Sequence, residues 1–208
     1  EPVMLAANMT SIMVVHPSVP VRTLKEFIDY ARARPGQLTY GSSGNGSASH
    51  LATELFKLTA RVAIAHVPYK GAAPAVTDLL GGHLTVMLIG VPVSLPHVRA
   101  GKLIALGIAS LQRYPAAMDL PTLAESGLPG FEVANWFAVL APAGTPASTV
   151  TRLNSELNAV LRIVETRERL LKQGFESGGG TPEQLAAYLR AEMKKWTKVV
   201  REARIRPG

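Results

Sequence analysis

Apolar positions in the first half of the chain fall in short blocks that switch between two periods. Ile12–Val15 is a continuous apolar run ended by His16-Pro17, the pattern of a short buried strand. Across Val21–Arg34, Leu24, Phe27, Ile28 and Ala31 recur at helical spacing, and Pro35-Gly36 stops them. Leu38–Tyr40 predicts a second strand, running into the loop Gly41-Ser42-Ser43-Gly44-Asn45-Gly46-Ser47. The helix predicted over 48–60 sets Leu51, Leu55 and Leu58 on one face. A strand at Val62–Val67, a turn at Pro68-Tyr69-Lys70-Gly71 and a helix at Ala73–Leu80 follow. A strand at Leu84–Ile89, a helix at Val93–Ala100 and a strand at Leu103–Ala109 close the series. Strands alternating with helices through short connections predict an α/β fold, its mainly parallel sheet covered on both faces.

Beyond Ser110 the pattern changes. Tyr114–Gly130 carries Pro115, Pro121 and Pro129 and reads as a connector with little regular structure. Trp136–Leu140 is apolar, and the loop Ala141–Pro146 feeds a helix from Ala147 to about Ile163. Glu168–Gln173 continues helically, and Gly178-Gly179-Gly180 reads as a break. Thr181-Pro182-Glu183-Gln184 opens a last helix, running to about Ala203, with an N-cap, a Pro at the first helical position and an acid in the first turn. The last third is therefore helix-rich and poor in strands of its own.

Composition narrows the class. Over 208 residues, 47% are apolar and 18% charged, enough to bury a sizeable core and unlike a disordered tail or a coiled coil. The absence of cysteine excludes a disulfide scaffold, a Cys-ligated metal site and a thiol nucleophile, without choosing a compartment. The net charge of +7 calls for a nucleic-acid reading. The excess is spread thinly, however: +4 up to Ile104 and +3 after it, with no basic block. A diffusely basic surface suits small anions better than a duplex.

Leu79–Val98 and Val133–Thr151 carry no Asp, Glu, Lys or Arg, but Gly and Pro interrupt both, so neither reads as a membrane span. No signal peptide is evident, and Glu1-Pro2 opens the chain without Met, as in a processed or trimmed product.

The segment Tyr40–His50 carries the most chemistry. A strand leads in and a helix leaves, so the helix's first N–H groups and its positive dipole end favour an anion there. Gly44 and Gly46 give backbone access beside Asn45, and Ser42, Ser43 and Ser47 add hydroxyls. Ser47 stands where a phosphate-binding loop needs Lys, and Ser49 where a dinucleotide fingerprint needs its third Gly. A carboxylate fits these donors as well as a phosphate does; the plainer alternative is a Gly-rich turn with a serine N-cap. Tyr69, Lys70 and Gly71 follow the next strand and so fall at the same sheet edge, where Lys70 could neutralise a carboxylate.

Ser43 or Ser47 with His50 raises a hydrolase reading. Yet the Gly-x-Ser-x-Gly spacing is absent, and two of the three aspartates, Asp29 and Asp78, fall on predicted helices. His50 near a helix start is more often packed or capping than catalytic. The five histidines stand fourteen or more residues apart, without metal-ligand spacing, and no cofactor is implied. Trp136 and Trp196 read as core.

One ordered set of segments is more specific than any of these motifs. Tyr40-Gly-Ser-Ser-Gly-Asn-Gly46, Pro68-Tyr-Lys-Gly71, Leu95-Pro-His-Val-Arg-Ala-Gly-Lys-Leu103 and Pro121-Thr-Leu-Ala-Glu-Ser-Gly127 precede Trp136-Phe137, Leu140-Ala-Pro-Ala-Gly-Thr-Pro146 and Gly179-Gly-Thr-Pro-Glu183. Together they resemble the Bug family, the extracytoplasmic solute receptors of tripartite tricarboxylate transporters. The resemblance implies a type II periplasmic binding protein-like fold, two α/β lobes closing on a dicarboxylate, an amino acid or an aromatic acid. It implies periplasmic location and transporter subunits in the membrane as partners of the full-length protein, with neither enzyme activity nor nucleic acid.

Two departures stand out. Family members normally begin with about a hundred further residues, and Leu88-Ile89-Gly90 replaces an aromatic followed by Asp or Asn. The resemblance thus implies an intact second lobe over about 11–120, with 1–10 and 121–208 belonging to an incomplete first lobe. The ligand-binding positions expected are Ser42, Ser43, Gly44, Asn45, Gly46, Ser47, His50, Tyr69, Lys70, Gly71 and Gly90. Helices left without partner strands would expose apolar faces and favour a homodimer.

Overall fold

A computed structural model describes residues 1–205. In chain order the elements are β1 (Pro2–Val15), α1 (Leu24–Arg32), β2 (Thr39–Ser42), α2 (Ala48–Ala60), β3 (Ala65–Pro68), α3 (Ala72–Leu80), β4 (Val86–Gly90), α4 (Val91–Arg99) and β5 (Ile104–Ile108). A single 3₁₀ turn at Pro115–Ala117 precedes β6 (Ala134–Leu140), α5 (Ala147–Arg162), α6 (Val164–Lys172), β7 (Glu176–Gly179) and α7 (Pro182–Glu202). The chain divides into two compact units, one of Glu1–Met9 with Ala134–Thr197, the other of Thr10–Val133 with the end of α7 from Lys198.

The larger unit is built on five strands in the order β3-β2-β4-β1-β5. β2 runs parallel to β3 and β4, while β1 is antiparallel to β4 and β5. Four strands therefore share one direction, and β1 is threaded between two of them in reverse. Ile12, Met13, Val14 and Val15 are wholly buried, as a strand covered on both faces and paired on both edges requires. On one face Ile12, Val14, Leu79, Leu84, Met87 and Ile89 pack together. Gly41 is tight here: a Cβ on it would collide with Leu84 Cδ1. Elsewhere in this unit Phe27 of α1 stacks on Phe56 of α2 at 6.1 Å.

Local chemistry places the boundaries. α1 begins at Leu24 rather than Val21, because Thr23 and Glu26 form a capping box: Glu26 N–H donates to Thr23 Oγ1 at 3.2 Å, and Thr23 N–H to Glu26 Oε2 at 3.2 Å. The proline-rich connector has only the one 3₁₀ turn, yet it is anchored: Leu123 N–H donates to the Ile108 carbonyl, and Leu123, Leu128 and Phe131 are buried.

Two expectations fail in the smaller unit. β1 begins at Pro2, ten residues before the apolar run at Ile12, because its first half pairs with β6 and β7 instead of lying in a continuous core. The glycines at 178–180 are no simple break. Glu176–Gly179 is a strand opposite β1, with Leu5 facing Gly179 and Ala7 facing Ser177. A Cβ on Gly178 would collide with the Leu5 carbonyl, so glycine is what lets the backbones approach. Asn154 Nδ2–H donates to the carbonyls of Val3 and Gly180, both at 2.8 Å, and ties α5 to this edge.

The core of the smaller unit is small: Val3, Met4 and Val150, with Val139, Ala141, Leu157 and Leu161 against them. Phe137, Leu140, Val160, Ile163, Val164 and Leu171 are exposed, and α6 buries no side chain. Trp136 and Trp196 both donate their indole N–H to Glu192 Oε2, at 3.2 and 2.8 Å, and are only half-buried. Among the described residues no helix is long and apolar enough to cross a membrane.

Both tryptophans lie in the smaller unit, so their fluorescence reports its unfolding. Gly178→Ala is expected to lower that urea transition by about 1–3 kcal/mol, the cost of forcing an extra carbon into a packed position.

Candidate functional site

Parallel strands bring their carboxyl ends to one edge, and the candidate loops gather there. Ser42 ends β2 opposite Pro68, the end of β3, and Gly90 ends β4. The two loops beyond β2 and β3 are joined through their backbones: Tyr69 N–H donates to the Ser42 carbonyl at 3.0 Å and Gly71 N–H to that of Ser43 at 3.2 Å.

The period of two along β2 puts Tyr40 and Ser42 on the same face. Tyr40 is paired in register with His66 of β3, and their rings stack at 4.7 Å. α2 then lays His50 on His66, ring centroids 3.9 Å apart and planes 12° from parallel. Tyr40 Oη–H donates to Glu54 Oε1 at 2.5 Å, and Lys57 Nζ reaches the same oxygen at 2.7 Å. His50, Glu54 and Lys57 stand at helical spacing on one face of α2, pointed at this cluster.

The serine loop is tied back onto that cluster. Ser42 is wholly buried; its Oγ lies 2.6 Å from His66 Nε2 and also engages the N–H and carbonyl of Gly44. Gly46 N–H donates to His50 Nδ1 at 3.0 Å. Ser49 Oγ accepts from Ser43 N–H and lies 3.0 and 3.2 Å from the hydroxyls of Ser43 and Ser47. Ser47 caps α2, its Oγ accepting from His50 N–H. Gly44 and Gly46 take positive φ, +132° and +73°, which side-chain-bearing residues rarely adopt.

These bonds sort the sequence-predicted residues. Asn45, Gly46 and Lys70 are exposed; Ser43, Gly44, Ser47, Tyr69 and Gly71 are half-buried; Ser42, His50 and Gly90 are buried. The amides of Ser43, Gly44 and Gly46 already have acceptors, whereas those of Asn45, Ala48 and Ser49 have none among the described residues. The anion donors on offer are thus a smaller set than a Gly-rich loop suggests. Tyr69 Oη–H donates to Asp78 Oδ2 at 2.6 Å; burial and this carboxylate push the phenol up to about 12. The Gly90 carbonyl accepts from Ser94 Oγ–H at 3.1 Å.

Sequence reasoning missed His66 and Ser49. His66 was visible only as an isolated histidine, since its role depends on strand register. The spacing of His50, Glu54 and Lys57 was a signal that could have found the buried cluster. Neither Ser43 nor Ser47 presents its hydroxyl to the His50 imidazole: both bond Ser49, and His50 Nδ1 is held by Gly46. Among the described residues no group of three or more His, Asp or Glu side chains is placed to hold a metal ion.

Residues 1–205 match the family described as "Tripartite tricarboxylate transporter family receptor". The chain is similar to BugT of Bordetella pertussis, 37% identical over 201 residues that cover 97% of this chain and 62% of that one. Among solved structures it resembles R. palustris Rpa4515 with adipate, at 41% identity and a TM-score of 0.86, covering 100% of this chain and 69% of that one. It also resembles MatC from Rhodopseudomonas palustris with bound malate, at 32% identity and a TM-score of 0.81, over 96% of this chain and 69% of that one. The chain spans 61–62% of the length of the first curated relatives it matches. A receptor family lends no support to the hydrolase or nucleic-acid readings.

The stacked rings make stability depend on acid. Burial, and then the neighbouring His50, lower the His66 pKa to about 4, and burial also lowers that of His50. In the unfolded chain both titrate near ~6.5, so on acidification the unfolded state takes up protons first. Stability is therefore held above ~6.5 and lost as pH falls towards 4. Urea midpoints followed by far-UV circular dichroism are expected to drop across that window. His66→Gln, which keeps a partner for Ser42 without titrating, is expected to flatten the drop.

Proposed function

Because the chain belongs to the tripartite tricarboxylate transporter receptor family, we propose that it captures a small carboxylate at the loop edge of its larger unit, in the periplasm. The observation that carries this reading is that the amides of Asn45, Ala48 and Ser49 and the exposed ammonium of Lys70 on the adjoining loop have no partner among the described residues. A carboxylate has two acceptor oxygens and one negative charge. The amides at the start of α2 offer directed donors with a positive dipole end, and Lys70 offers the counter-charge. Ser43, Ser47 and Ser49 share hydroxyl protons among themselves and adjust their orientation to the incoming oxygen. The same edge accounts for a receptor that holds its ligand and releases it unchanged. Ser42, which pairs with His66 at this edge, is wholly buried and out of a ligand's reach, and capture needs only donors.

Relatives bind dicarboxylates of different length, adipate in one and malate in another. Either would leave one carboxylate beyond the reach of this loop. With one grip engaged, affinity on the order of millimolar is expected. Isothermal titration with adipate and with malate measures it directly. Lys70→Ala is expected to weaken binding and to reduce its dependence on salt, because an exposed charge pair is screened. Failure of both acids to bind, or a variant with unchanged salt dependence, overturns the reading.

The partner reading rests on the smaller unit. Phe137 and Leu140 of β6, with Ile163, Val164 and Leu171, stay exposed beside a core of only a few side chains. A second copy of the chain would cover such a surface with its own. Sedimentation equilibrium at micromolar concentration is expected to give a dimer that Phe137→Glu dissociates. A monomer would reject the homodimer and leave carboxylate capture untouched.

A further inference from the structure

We propose that His50 is the positioning residue of the serine loop, and that a proton taken up at its Nδ1 unlatches the loop and lowers carboxylate affinity. The inference rests on the reading of that loop as the carboxylate grip.

Gly46 sits at the exposed turn of the loop, and a Cβ there would have nothing within 4 Å, so packing does not hold this turn in place. What holds it is the 3.0 Å bond from its N–H to His50 Nδ1, with the Ser47 N–H to Gly44 carbonyl bond at 3.2 Å beside it. The bond requires an unprotonated Nδ1, so the neutral ring carries its hydrogen on Nε2. A second proton would turn Nδ1 from acceptor into donor. Two N–H groups would then face each other across the latch, and the turn carrying Asn45 and Gly46 would lose its anchor.

The surroundings of the ring bear on whether that proton is tolerated. His50 is buried and lies flat on His66, whose Nε2 is engaged with Ser42 Oγ. The titratable and charged groups facing it are His66, Tyr40, Glu54 and Lys57. Glu54, the one carboxylate among them, is already bridged to Lys57 and held by Tyr40. A cation on His50 would thus be desolvated, stacked on a second imidazole and short of a free counter-charge. The same arrangement that keeps His50 neutral near neutrality makes its protonation disruptive in acid. A ring used only for packing would have no reason to direct its acceptor nitrogen at the loop.

Two measurements test this. In the ligand-free protein, ¹⁵N NMR follows the Gly46 amide and the His50 ring together through an acid titration. The Gly46 resonance is expected to move with the His50 midpoint, and to keep doing so in His66→Gln. Adipate affinity is then compared at about pH 7.5 and about pH 5, either side of the ordinary histidine range. His50→Asn places an oxygen near the site of Nδ1 and does not titrate. The wild-type protein is therefore expected to lose about fivefold more affinity on acidification than His50→Asn, the scale of one hydrogen bond. Adipate's own protonation is common to both proteins and cancels in the comparison. A Gly46 amide that stays still while His50 titrates overturns the latch, as does an equal acid loss in His50→Asn. If adipate binds neither protein at any pH, the carboxylate reading falls, and the Gly46 titration still decides the latch.

Discussion

One fourteen-residue strand supplies backbone partners on both sides of the point where the two compact units divide. The second half of β1 lies between β4 and β5, pairing Ser11 with Gly90 and Val15 with Val86. Its first half pairs with β6 and β7. A strand used on both edges and covered on both faces can carry no charge and tolerates no slip, since a one-residue shift would turn every side chain to the wrong face. Ile12–Val15 satisfy that constraint by being apolar at every position. The parallel strands β2, β3 and β4 take their direction relative to this reversed strand, and their shared carboxyl edge is where the loops meet.

The site inherits its geometry from strand register. Pairing Tyr40 with His66 stacks their rings, and the next residue on that face, Ser42, falls within reach of the imidazole. His50 arrives from α2 and closes the stack. The loop between Ser42 and His50 is then held at both ends by buried polar groups. Most of its hydrogen-bonding capacity goes to its own shape, and the amides of Asn45, Ala48 and Ser49 are left without acceptors among the described residues. A buried polar network rigidifies only when its members are satisfied, and here each ring nitrogen that faces the loop has a partner.

The smaller unit follows a different economy. Backbone and amide side chains do much of the work: Gly178 allows close approach to Leu5, and Asn154 and Asn158 satisfy the Gly180 carbonyl. Apolar burial is limited to a few side chains, and the faces of β6 and α6 stay open. The segments of α5 and α6 read as helical in the sequence, but a helical pattern alone does not say what covers their apolar positions.

Periodicity alone determined the succession of elements from β1 to β5, because short apolar strands and Pro- or Gly-bounded helices leave a local signature. The helix at 48–60, the Ser47 cap at the start of α2 and the ordered segments shared with the receptor family were likewise legible, since capping, glycine placement and motif order are properties of neighbouring residues. Three features were decided only in the tertiary structure. The first half of β1 and the strand β7 have no strand-like pattern: Leu5 and Gly178 become strand residues through each other. Ser42 reads in the sequence as one loop serine among several, and strand alternation turns it towards His66. His66 itself was indistinguishable from any other isolated histidine until parallel register set it beside Tyr40 and under His50. Local sequence encodes local propensity; which polar groups meet depends on pairing between segments far apart in the chain.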